Sequence, residues 1–154
     1  MGRMTKNERE EHEARLAKFI KRFRIKTKNG MLVLYKAVRK DLGSWWTTEN
    51  SGPKAAGGIY TPGTEVKCRR CDRNPRETCG RGLHVSTESF ARQFQKTAAP
   101  TIIQVLVDPK DVVCVPIPYW AKKSVRKIRV RRLYVDKIVV KDKRRSSANP
   151  SAEG

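Results

Sequence analysis

Long apolar runs are missing from this chain. No stretch approaches the roughly 20 apolar residues that a membrane-crossing helix needs, which excludes a span. The first residues, MGRMTKNEREE, carry charge where a secretory leader would be apolar, so export by that route is not expected. Acidic residues are scarce: 15 Asp and Glu stand against 35 Lys and Arg, leaving a formal net charge of +20. Cysteines number only four, and nothing signals an oxidising compartment, so a disulfide framework is not expected. No internal repeat or collagen-like period is present. With 154 residues there is room for one domain and none for a large multidomain enzyme. Hydrophobic residues make up 38%, enough for a core with little to spare.

The positive charge is uneven. Residues 1–28 carry a net +6 and residues 29–120 a net +5, while residues 121–145 alone carry +10. A field of this kind draws polyanions, with nucleic acid the first candidate and an anionic membrane surface the second. Solubility alone is the simpler explanation of the same charge.

Three segments follow: a basic amphipathic helix within 1–28, a single α+β domain over 29–140, and a charged, then Ser- and Ala-rich tail over 141–154 expected to be disordered. Residues 5–26 read as the helix. Thr5 and Glu8 have capping-box spacing, acidic residues sit early and basic ones late, and Leu16, Phe19, Ile20 and Phe23 form one apolar stripe. That stripe favours docking on the domain over lying on RNA, DNA or lipid, and His12 reads as exposed. Lys28-Asn29-Gly30 breaks the helix. Strands are expected near 31–38, 59–66, 82–86, 101–107, 112–115 and 125–140, with a bulge at Arg131-Arg132. Ser86 or Thr87 caps an internal helix whose inner face is Phe90, Ala91 and Phe94. The expected fold is α+β: one mixed or antiparallel sheet, the N-terminal helix and one internal helix. Trp45 and Trp46 lie on a long loop. They cap the core or, if exposed, stack on bases or meet a protein partner.

Cys68-x-x-Cys71 has zinc half-site spacing, which Cys79 and His84 could complete. Arg69, Arg70 and Arg73 would favour the thiolates. The full spacing, C-x2-C-x7-C-x4-H, is not that of a standard zinc knuckle. Reduced, unligated thiols are therefore the alternative to structural zinc, and no other cofactor is expected.

An ordered set of motifs runs through the middle of the chain: LYKAV at 34–38, YTPG at 60–63, CGRGLHVS at 79–86, VLVDPKDVVCVP at 105–116 and KIRV at 127–130. Over residues 31–140 this resembles the C-terminal region of rIIB-like proteins of tailed phages, and small phage and bacterial domains that share a C-x-x-G-L-H-V segment. The resemblance implies a phage or prophage origin and a cytoplasmic setting, and brings no molecular activity with it. It also implies a fold role for Cys79 and His84, whereas Cys68 and Cys71 look particular to this chain. A fainter resemblance, in the Leu-Tyr strand and the G-x-H-V-S strand–helix junction, is to the ADP-ribosyltransferase fold, including its RNA 2′-phosphotransferase branch. It implies that Lys36 and His84 or Ser86 would grip a dinucleotide or a phosphorylated RNA. The late catalytic Glu of that fold has no counterpart here, so the resemblance implies a non-catalytic relative.

Three functions are thus set against one another. A non-catalytic binding module would hold nucleic-acid phosphates, without reading sequence, through Lys18, Arg22 and Arg24 on the helix and Arg126, Lys127, Arg129, Arg131 and Arg132 on the last strands. An enzyme would use Lys36, His84 and Ser86. An accessory factor would bind a host protein through Trp45, Trp46 and the N-terminal helix. The first is the reading preferred on sequence.

Overall fold

The structure is a computed structural model, and it describes residues 4–43, 59–68, 70–76, 82–95, 99–117 and 126–140. Trp45, Trp46, Cys79 and the tail 141–154 lie outside the described residues.

Helix α1 spans Lys6–Arg22. Its capping box is formed in full: the Thr5 hydroxyl accepts from the Glu8 amide at 3.1 Å, and the Glu8 carboxylate accepts from the Thr5 amide at 2.8 Å. The helix stops where Arg24 turns into a left-handed conformation (φ 51°) and the Ile25 amide bonds back to the Ile20 carbonyl. Leu16 and Phe19 are buried in the core, and Phe23 packs edge-on to Phe19, so the helix is docked through its apolar stripe. His12 is buried on the same face, contrary to the sequence reading. Helical spacing places it one turn before Leu16, against the backbone of Val112. Burial, then the charge of Arg15, lowers its pKa against the opposing pull of the Val112 backbone.

Among the described residues eight strands follow, all paired antiparallel: β1 (Thr27–Lys28), β2 (Met31–Val38), β3 (Glu65–Lys67), β4 (Leu83–Ser86), β5 (Thr101–Val107), β6 (Val112–Cys114), β7 (Lys127–Val130) and β8 (Arg132–Val140). Helix α2 (Glu88–Phe94) lies between β4 and β5, capped by the Thr87 hydroxyl. The expected α+β architecture with two helices is the one observed. Boundaries for β2 and β5 match the expected ones. The expected strand at 59–66 is shorter, because Thr61-Pro62-Gly63 forms a turn before Glu65. Strand β1 was not anticipated. It is one arm of a hairpin turned by Asn29-Gly30, both at positive φ, a pair of residues suited to a two-residue turn.

The sheet order is β3-β8-β5-β2-β4-β7-β6, with β1 beside β2. Strands β7 and β8 are consecutive in the chain, joined through Arg131. Hydrogen bonds and chain continuity together therefore close the segment β8-β5-β2-β4-β7 into a ring. Its interior is filled by alternate residues: Leu32 and Leu34 of β2, Leu83 and Val85 of β4, Ile103 and Val105 of β5, Ile128 and Val130 of β7, and Leu133 and Val135 of β8. At the bend the Arg131 amide donates to the Asp111 carbonyl and the Arg131 carbonyl accepts from the Cys68 amide, both at 2.9 Å. The bulge expected at Arg131-Arg132 is thus the corner at which one long strand changes partners.

Candidate functional site

The basic side chains fall into four groups. At the C-terminal end of α1 and in the turn after it, Lys18, Lys21, Arg22, Arg24 and Lys26 are all exposed. None of them forms an ion pair among the described residues. Docking of the apolar stripe leaves this basic end of the helix facing outward.

At the β7–β8 corner, Arg131 and Arg132 both reach Asp111, with Nε–Oδ distances of 2.8 and 3.0 Å. Asp111 is 1% exposed, whereas the Arg131 side chain is 57% exposed. Burial pushes the Asp111 carboxyl upward, but the two arginines outweigh it and hold the pKa below its ordinary value. These arginines brace the corner before they do anything else.

Arg129 is different again. It is completely buried, and its Nε and Nη2 donate to the carbonyls of Asp72 (2.8 Å) and Asn74 (2.7 Å). A phosphate cannot reach it, which removes Arg129 from the expected nucleic-acid contacts. Alternation along KIRV does place Arg129 on the outer face of the ring, opposite His84. The loop around residues 70–76 then folds over that face and takes the guanidinium for itself. Gly82 comes close here: at φ 147°, an added Cβ would lie 3.3 Å from the Arg129 Cβ.

The expected enzyme residues do come together. A cleft beside α2 is lined by Tyr35, Lys36, Ala37, His84, Ser86, Phe90, Phe94 and Lys127, with Val85 and Ala91 behind them, and holds about 490 Å3 of empty space including its open mouth. It sits where β2 and β4 part. Among the described residues those strands share one register pair, Tyr35 with Ser86. Lys36 points inward from β2, in register with Ile103, and its Nζ donates to the His84 carbonyl across the seam at 2.8 Å. It also lies 5.4 Å from the centre of the buried Tyr60 ring, within cation–π range. Desolvation, followed by the charge of Lys127, lowers the Lys36 pKa to about 8. Arg126 stands at the rim, stacked on Phe90 and bonded to Gln93 (2.6 Å) and Ser89 (3.5 Å). Lys36 and Lys127 are thus cleft residues, a role that composition did not reveal for Lys127.

Of the expected zinc set, Cys79 lies outside the described residues, and the structure describes Cys68, Cys71 and His84. Cys71 donates to the Cys68 carbonyl at 3.7 Å and to the Val130 carbonyl at 3.9 Å, and Cys68 donates to the Arg70 carbonyl at 3.4 Å. The hydrogen bond with Cys68, then burial, raises the Cys71 pKa, so the thiol is held protonated despite the nearby arginines. His84 lines the cleft instead. Among the described residues no three His, Cys, Asp or Glu side chains gather to hold a metal.

Fold and charge together define a small α+β domain: an antiparallel ring with a docked basic helix and a lysine-lined cleft. The family model for bacteriophage T4 protein rIIB matches residues 12–138, and the chain belongs to that family. Protein rIIB of Enterobacteria phage T4 is 41% identical over 61 residues, covering 38% of this chain and 19% of that relative. The match therefore spans under a fifth of the relative's length. No solved structure matches this chain. Among the described residues no helix is long and apolar enough to cross a membrane.

Proposed function

We propose that this chain is a non-catalytic phage accessory module that holds nucleic acid through phosphate contacts, without reading sequence. The observation that carries the reading is the basic end of α1 and the turn after it: five exposed cations with no carboxylate partner among the described residues, beside a helix whose apolar face is already used. Lys18, Arg22 and Arg24 are the central contacts. Arg131 and Arg132 are secondary ones, since Asp111 takes part of their charge, and Arg126 and Lys127 face the cleft. Phosphate-gripping cations give affinity and little sequence preference.

The enzyme reading is weaker. Lys36, His84 and Ser86 share a cleft, but among the described residues no carboxylate lines it to stabilise a developing positive charge. The host-protein reading rested on Trp45, Trp46 and the N-terminal helix; the two tryptophans lie outside the described residues, and the helix spends its apolar stripe on the core.

The test is binding to single- and double-stranded RNA and DNA by fluorescence anisotropy across a salt series. Affinity should fall linearly on a log–log plot. The combined change Lys18→Gln, Arg22→Gln and Arg24→Gln should flatten the slope by about 2 to 3, since each phosphate contact contributes about 0.9. A flat response in the unaltered chain, or no binding at moderate salt, overturns the reading and leaves the +20 charge as a solubility feature.

A further inference from the structure

The cleft at the β2–β4 seam gathers Lys36, Lys127 and His84, and its lining among the described residues holds no carboxylate. The Lys36 ammonium has three donor hydrogens. Its contacts are one carbonyl, that of His84, and the Tyr60 ring, both neutral. Arg126, at the rim, likewise bonds only neutral oxygens, those of Gln93 and Ser89. The acid nearest in sequence, Glu88 at the start of α2, is already paired with Arg92 at 2.8 Å. A buried cation without an ionic partner is costly, and such groups are ordinarily paired. The same lining holds Phe90 and Phe94, whose rings are nearly parallel, with Ala37 and Ala91. The Tyr35 and Ser86 side chains add hydroxyls. Cations and aromatic rings in one cleft match a particular ligand chemistry.

We infer that this cleft binds a small organic anion, a phosphate monoester or a carboxylate joined to a planar apolar group. The anion lies against Lys36 and Lys127 and the planar group along Phe90 and Phe94. Binding supplies the ionic partner that Lys36 lacks. This pocket is distinct from the basic end of α1, and neither proposal needs the other.

The groups facing Lys36 set the pH dependence. They are Lys127 on β7, His84 on β4 and the Tyr60 ring, with Arg126 and the Glu88–Arg92 pair further out. Lys127 opposes the Lys36 charge, and no facing acid restores it. Lys36 is charged below a pH of about 8 and loses its charge above it, so anion affinity falls as pH rises through that value.

The experiment titrates the full chain with phenyl phosphate, benzoate and neutral benzyl alcohol, following backbone and aromatic NMR shifts. One or both anions should shift Tyr35, Ser86, Phe90 and Phe94. The tighter of the two identifies the anion, phosphate or carboxylate. Benzyl alcohol should bind at least about tenfold more weakly. Lys36→Met and Lys127→Gln should each lower anion affinity about tenfold, and so should raising the pH from about 7 to about 9. Lys127→Gln keeps the test decisive if the buried Lys36→Met variant does not fold. Three outcomes overturn the inference: no shift in these residues at millimolar anion, equal binding of benzyl alcohol, or shifts confined to Lys18–Arg24. The combined Lys18, Arg22 and Arg24 variant should leave phenyl phosphate binding unchanged, which separates failure of this site from failure of the nucleic-acid surface.

Discussion

Replacing Arg129 with methionine is expected to destabilise the fold by about 3 kcal/mol, because two carbonyls lose charge-assisted donors where little water can replace them. For a domain of this size that lowers Tm by roughly 10 °C. Methionine fills much of the space, so the loss reports hydrogen bonding more than a cavity. The guanidinium ties the carbonyls of Asp72 and Asn74 to β7, and through them the loop around residues 70–76 to the outer face of the ring. Proteolysis within residues 70–76 should therefore accelerate before global unfolding does. Lysine at the same position should rescue little, since one ammonium cannot reproduce the fork that reaches both carbonyls. A thermal melt of Arg129→Met within about 2 °C of the unaltered protein would refute this structural role. The variant should leave the salt slope of nucleic-acid binding unchanged, since a buried guanidinium contacts no phosphate.

Asp111→Asn is the second large effect. Asp111 accepts from Arg131 and Arg132 with its two carboxylate oxygens, and its backbone carbonyl accepts from the Arg131 amide. It pins the corner where the long C-terminal strand leaves β4 and β6 for β5 and β3. Asparagine keeps the shape and one acceptor but loses the charge. The expected loss is about 1 to 2 kcal/mol, at the low end for charged hydrogen bonds because the Arg131 side chain is 57% exposed and solvent screens it. The pH dependence has a definite sign. The folded carboxyl titrates below its ordinary value, so its contribution is present above the unfolded pKa of about 3.9 and is lost as pH falls through the folded value. Chemical denaturation between about pH 7 and pH 3 should show a smaller acid loss for Asp111→Asn than for the unaltered protein. Equal acid limbs would show that the carboxylate does not brace the corner.

Much of the fold was legible because its signals are local. The β-branched runs at 31–38 and 101–107, the Thr5–Glu8 capping spacing and the Leu16–Phe19 stripe each depend on residues a few positions apart. Their elements appear where expected. The candidate site was legible only in part. Lys36, His84 and Ser86 were singled out through a resemblance, and they do share one cleft. Phe90 and Phe94 follow Ser86 closely, on the helix expected there, but Lys36 comes from β2 and Lys127 from β7. No window of sequence joins those two lysines.

Alternation in KIRV told which residues share a face, but not what covers each face. That is why Arg129 read as a surface cation and is a buried one: a loop from 57 positions earlier supplies its acceptors. His12 read as exposed for the same reason, since the body of the domain that buries it lies beyond the helix. Cys68-x-x-Cys71 suggested thiolates, whereas the hydrogen bond with Cys68 and the burial of Cys71 raise the Cys71 pKa. The sequence by itself determined the α+β class, the two helices, most strands and the sign of the surface field. Only the tertiary structure decided which cations face solvent, which brace a corner and which line a cleft. The physical reason is that a side chain's charge state and accessibility depend on non-local neighbours, whereas helix and strand periodicity depends on local ones.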